Sequence, residues 1–230
     1  MRHVPISGTR EAGVLTFEEA LRPAAQVSYD RDAWLYVPDH YSEYRYILGT
    51  RGKKPLICIG VNPSTAIPGR LDNTLKSAER IALYNGFDSF IMFNVYAQRA
   101  TDPDDMEQEM NPVLHQENMK AFRWVMERSG DTPAVWAAWG AVIEKRAYLP
   151  DCVADLARIG QHFGAAWYTA GARSRAGHPH HPLYLKKDSP LEPFEDLDAY
   201  LTKLEEKNHG KGSNTEGFTG RGDSDSFPGA

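Results

Sequence analysis

The sequence predicts a single α/β domain with a central, mainly parallel sheet covered by helices on both faces. Short apolar runs alternate along the chain with longer segments of helical period, which is the signature of strand-helix-strand units. A hydrophobic fraction of 41% and a charged fraction of 25% are globular values. A length of 230 residues buries one sizeable core and leaves too little chain for a second domain of ordinary size.

The apolar runs place strands at 45–48, 55–60, 90–94, 134–138 and 165–169. Between them the period predicts helices at 74–84, 112–128, 141–149 and 151–160, with a last helix at 191–207. Asp72, Asn73 and Thr74 offer N-cap side chains to the first of these, and Asn111 before Pro112 marks the start of the second. The domain is expected to span residues 1–208, with its motif-bearing core at about 45–187. From His209 to Ala230 only Phe218 and Phe227 are large and apolar, so this tail cannot offset its ordering entropy and is expected to be disordered. The Arg-Gly-Asp triplet at 221–223 is read as chance composition of that tail.

Several classes of function are excluded by composition. No apolar run approaches the roughly 20 residues that span a bilayer, so no membrane span is expected. The opening MRHVPISGTREAG lacks the apolar stretch of a signal peptide, and a cytoplasmic location is the expectation. With only Cys58 and Cys152 there is neither a disulfide framework nor a four-cysteine zinc or iron–sulfur site, and Cys58 inside PLICIGV reads as core. A net charge of -5 argues against bulk electrostatic coating of nucleic acid. It leaves room for a local basic stretch, and 171–187 carries Arg173, Arg175, Lys186 and Lys187 with no carboxylate.

Three segments hold the residues suited to chemistry. ICIGVNPSTA is a strand ending in glycine, asparagine, proline and two hydroxyls, and in open α/β sheets ligands bind at the carboxyl ends of strands. Pro63 fixes its own φ and holds Asn62 extended, which directs the Asn62 side chain; Asn-Pro-Ser is equally ordinary turn chemistry. FIMFNVYAQRATDP again leaves an asparagine, Asn94, at a strand end. An amide offers a donor beside an acceptor, which suits a nucleobase edge or the tying of a loop. AGHPHHPLYL holds His178, His180 and His181, but no carboxylate or cysteine stands at ligand spacing, so neither a metal nor another cofactor is implied. A phosphate-handling site at Ser64 and Thr65 would need a basic partner, and only Arg70 is near in sequence.

NPSTA with the following DNT, then NVYAQRATDP, AAWG and GHPHHPLYL, together resemble the family called domain of unknown function 1643. In motif order the chain is also similar to the uracil-DNA glycosylase superfamily. Gly60-Val61-Asn62-Pro63 matches the first motif in the form of the mismatch-specific branch, Asn94 the base-reading asparagine, Trp139-Gly140 the third motif, and His181-Pro182-Leu183 the late His-Pro loop. The resemblance implies a uracil-DNA-glycosylase-like three-layer sandwich that hydrolyses the N-glycosidic bond of a modified or unusual base in DNA or a nucleotide. The rival expectation is a non-catalytic nucleotide or nucleic-acid binding module.

On that reading Asn62 orients a water, His181 donates to the departing base and Asn94 reads its edge. Asp72 or Asp102 supplies the base that Asn62 lacks, although each also suits a cap or turn. Gly60, Pro63 and Ser64 shape the substrate pocket. Phe93 or Tyr96 stacks on the base, and Leu183 with Tyr184 wedges into the base stack. Arg99 meets a phosphate or pairs with Asp102, while Arg173, Arg175, Lys186 and Lys187 contact nucleic acid. The partner is DNA or a nucleotide-like substrate; no membrane and no particular protein partner is implied.

Overall fold

A computed structural model describes residues 2–5 and 13–212, the last four by backbone alone. It is an α/β structure with a seven-stranded mixed sheet in the order β1-β2-β4-β3-β5-β6-β7. The strands are β1 Trp34–Val37, β2 Ile47–Thr50, β3 Pro55–Gly60, β4 Ser89–Asn94, β5 Ala134–Ala137, β6 Ala166–Ala170 and β7 Leu191–Pro193. The central pairs, β4 with β3, β3 with β5 and β5 with β6, are parallel. The outer pairs, β1 with β2, β2 with β4 and β6 with β7, are antiparallel.

Among the described residues there are five α-helices: α1 Phe17–Ala20, α2 Asn73–Tyr84, α3 Pro112–Met126, α4 Leu149–His162 and α5 Leu197–Gly212. Among the described residues no helix is long and apolar enough to cross a membrane.

Strands β3 and β4 are buried at all six positions, because helices cover both faces of the sheet. Side chains alternate between the two layers with the period of two that strands impose. Ile57, Ile59, Ile91, Phe93 and Val135 pack with α3, α4 and α5, while Leu56, Cys58, Phe90, Met92 and Trp136 pack with Leu75, Ala78 and Ile81 of α2. From β3 the chain passes through α2 to β4 on one side, then crosses by α3 to β5 on the other. The connections therefore diverge between β3 and β5, and the crevice outside their carboxyl ends is where such sheets bind ligands.

Three expected elements differ. The strand expected at 45–48 begins at Ile47; Arg45 precedes it, with its backbone N–H on the Ala97 carbonyl at 2.9 Å. The helix expected at 141–149 is a short 3-10 turn, Gly140–Glu144, because the following Arg146 turns inward to the carbonyls of Asp104, Met106 and Glu107. The last helix starts at Leu197 rather than 191. Residues 191–193 instead pair with β6 as an edge strand, where the missing N–H of Pro193 is tolerated. Strand β1 and helix α1 had no expected counterpart: each is four residues long, too short for a period to show. Of the expected tail, residues 209–212 continue α5, and 213–230 lie outside the described residues.

Candidate functional site

A cleft of about 730 Å³ opens at the carboxyl ends of the parallel strands. Gly60 ends β3 and Asn62 follows it, Asn94 ends β4, Trp139 and Gly140 follow β5, and His178 to Tyr184 come from the loop beyond β6. Asp72 joins them from the start of α2 and Arg45 from the approach to β2. Of the residues singled out in the sequence, Gly60, Asn62, Ser64, Asp72, Asn94, His181, Leu183 and Tyr184 therefore line one cavity.

Their hydrogen bonds define which atoms face a ligand. Asn62 donates through Nδ2 to the carbonyls of Pro63 at 3.1 Å and Ala100 at 2.8 Å. Both partners are acceptors, which fixes the amide orientation and leaves Oδ1, an acceptor only, for the cleft. Asp72 caps α2 by accepting the Leu75 N–H on Oδ1 at 2.9 Å, which spends one carboxylate oxygen and leaves the other without a hydrogen bond among the described residues. Asn94 is buried. Its Oδ1 accepts from Arg45 Nη2 at 3.3 Å, and its Nδ2 is a buried donor with no partner among the described residues.

His181 accepts the Leu183 N–H on Nδ1 at 3.3 Å, so its ring proton belongs on Nε2. Burial holds its pKa below the usual 6.5, with the Asp72 carboxylate pulling the other way. The ring is thus a neutral N–H donor at neutral pH. Because its folded pKa is depressed, the neutral ring contributes stability above about pH 6.5 that is lost as the pH falls below that value. His181→Ala should therefore flatten the fall of melting temperature on acidification; an unchanged acid slope would place the proton-linked group elsewhere.

Two glycines make room for this arrangement. A Cβ on Gly60 would meet Met92 Cε at 2.6 Å and Asn94 Nδ2 at 3.2 Å. Gly140 has φ +62, a conformation L side chains rarely adopt, and a Cβ there would stand 3.5 Å from His181 Cβ. Behind this loop Trp139 donates to the Tyr200 hydroxyl at 2.9 Å, and His178 joins Tyr200 at 3.0 Å to Glu144 at 2.9 Å. Tyr200 already accepts from Trp139, so its own proton goes to His178 Nδ1 and His178 Nε2–H points to Glu144. His178 is thus a buried brace. His180 faces the Ala172 carbonyl at 3.1 Å, so the three histidines diverge. Among the described residues no three His, Cys, Asp or Glu side chains group as a metal would need.

Other candidates sit elsewhere. Phe93 and Tyr96 are fully buried in the core; Tyr96 gives its hydroxyl proton to Glu107 at 2.7 Å and accepts from the Asn111 backbone. Neither lines the cleft, and neither does the buried Pro63, whose carbonyl accepts from Ala100 N. Asp102 caps the 103–105 turn and lies 3.8 Å from Arg2. Arg99 meets neither a phosphate-accessible surface nor Asp102: it is buried under the Tyr41 ring, bonded to the carbonyls of Ser64 and Ala66 and to the Tyr36 hydroxyl. Arg173 pairs with Asp196 at 2.9 Å, whereas Arg175, Lys186 and Lys187 are exposed with no ion pair among the described residues. Sequence reasoning missed Arg45, because the apolar run RYIL made it look like an ordinary strand residue with a solvent-facing head.

The fold defines an α/β protein with a cleft at the divergence of its sheet connections. A family model described as "Protein of unknown function (DUF1643)" matches residues 45–183, and the chain belongs to this family. No curated protein and no solved structure matches the chain.

Proposed function

We propose that the chain is a uracil-DNA-glycosylase-like hydrolase that cleaves the N-glycosidic bond of a modified or unusual base in DNA or in a nucleotide. One observation carries this reading. The cleft gathers two acceptors suited to hold a water, Asn62 Oδ1 and the unspent Asp72 oxygen, and two donors suited to receive a base, Asn94 Nδ2 and His181 Nε2–H. Breaking the bond builds positive charge on the sugar and negative charge on the base, so water-holding acceptors and base-facing donors are what the transition state requires. Leu183 and Tyr184 stand at the rim, 42% and 76% exposed, free to enter a base stack. Asp72 in the same cleft favours hydrolysis over the binding-module reading, which needs the pocket but no water-activating carboxylate.

Incubation with oligonucleotides carrying a panel of modified bases, followed by alkali cleavage at abasic sites, tests the reaction. Strand scission at one modified base is the expected result, and binding of such oligonucleotides without scission would favour the module. If DNA is the substrate, neutralising Arg175, Lys186 and Lys187 should lower the slope of log affinity against log salt by about 0.9 for each duplex phosphate that is no longer neutralised. Neutralising Arg173, already paired with Asp196, should change it less. An unchanged slope in both cases would move the interface to another face.

A further inference from the structure

The floor of the cleft carries a feature that base hydrolysis by Asn62, Asp72 and His181 does not use. Arg45 is 1% exposed, lines the cleft and has no ion pair among the described residues. Its guanidinium bonds the Ala66 carbonyl at 3.2 Å and Asn94 Oδ1 at 3.3 Å, and its Nε is buried with no partner. Arg99, also without an ion pair there, shares the Ala66 carbonyl, so two guanidiniums lie side by side beneath the cleft. The Asp72 carboxylate acts on Arg45 without forming an ion pair with it; burying a charge without a close partner is costly, and placing a second like charge beside it adds to the cost. Burial, and then Arg99, pull the pKa of Arg45 down to about 9, which still leaves it protonated at neutral pH.

Arg99 has a structural account in the loop carbonyls and tyrosines it ties together. Arg45 has less. Its bond to Asn94 also changes what the asparagine offers. An amide read alone presents a donor and an acceptor, but here Arg45 takes up the acceptor with one bond and Asn94 Nδ2 remains beside Gly60, buried and without a partner among the described residues. Arg45 Nε and Asn94 Nδ2 are thus two buried N–H donors, without partners among the described residues, on side chains that line the cleft. A neutral imide edge, which alternates acceptor, donor, acceptor, matches such a floor poorly; an edge of acceptors bearing negative charge matches it well.

We propose that Arg45 and Asn94 form a receptor for an anionic oxygen group carried on a flat, base-sized ring, such as a ring carboxylate. A free phosphate is disfavoured over a singly charged ring carboxylate, because it brings more negative charge toward the Asp72 carboxylate, which already caps the helix terminus that opens into the cleft. The proposal rests on the preceding reading only in taking a base-sized ring as the occupant.

Calorimetric titration of the full chain with uracil, 5-carboxyuracil, 6-carboxyuracil and inorganic phosphate tests it. At least one carboxylated ring should bind tenfold or more tightly than uracil, and millimolar phosphate should not displace it. Arg45→Met should erase the preference while leaving the melting temperature unchanged or higher, since it removes a buried charge that has no ion pair among the described residues. Asn94→Asp, which sets an internal carboxylate against Arg45, should likewise erase the preference and raise the melting temperature, and it decides the matter should Arg45→Met fail to fold. Equal binding of charged and neutral rings, no ring binding, displacement by phosphate, or an Asn94→Asp protein that keeps the preference would each overturn the proposal. The titration involves no bond cleavage, so failure of hydrolysis leaves this result standing, and failure of ring discrimination leaves hydrolysis standing.

Discussion

Replacing His181 with alanine should slow base release about a hundredfold while leaving substrate affinity and melting temperature at neutral pH nearly unchanged. A donor aimed at charge that develops only in the transition state contributes roughly 3 kcal/mol, and about 1.4 kcal/mol corresponds to a tenfold change in rate. Three features suit His181 to that role: a position in the cleft lining, a neutral ring at neutral pH, and a proton held on Nε2 by the Leu183 N–H on its other nitrogen. Its side chain is tied to the fold by that local hydrogen bond and by a tilted ring contact with Tyr184 at 6.1 Å, both within its own loop, so little stability depends on it. Single-turnover kinetics on the substrate found by the oligonucleotide panel separates the cases: a loss in the chemical step alone supports the donor, and full activity removes the histidine from the mechanism.

Asp72→Asn should cost more, on the order of a hundred to ten thousand times in rate, because it removes the carboxylate that would take a proton from the attacking water. The substitution is informative because asparagine caps helices about as well as aspartate, so the bond from the Leu75 N–H and the stability of α2 should persist. Losing the negative charge should also depress the His181 pKa further, since Asp72 is the group that raises it. A protein of unchanged melting temperature with greatly reduced hydrolysis supports the assignment. Retained hydrolysis would leave Asp72 a helix cap and return the chemistry to Asn62 and bulk water.

The central strands were legible in the sequence because burial on both faces leaves unbroken apolar runs, as in PLICIG and SFIMFN. The placing of Asn62, Asn94 and His181 around one cleft followed from a rule about strand ends and needed no knowledge of which elements pack together. What was hidden depends on tertiary partners. Tyr96 and Phe93 lie near the site in sequence but point into the core, which the alternation along a strand conceals once both faces are apolar. Arg99 is held by the Tyr36 hydroxyl from 63 positions away, and the Arg173 ion pair with Asp196 spans 23. Neither separation leaves a local signal. Arg45 is the clearest case, because a lone arginine at the mouth of an apolar run gives no sign of whether its head reaches water.

The brace behind the cleft bears on where this protein can be cut. Trp139 and His178 lie within residues 45–183, the stretch the family shares, yet the Tyr200 hydroxyl they both use belongs to α5 beyond it. The same boundary drops β1 and β7, which pair with β2 and β6. A fragment trimmed to the shared stretch would expose two strand edges and the core surface that Leu197, Leu201 and Leu204 cover, an arrangement that invites edge-to-edge association. For expression and crystallisation, the smallest sound unit therefore starts ahead of Trp34 and keeps α5.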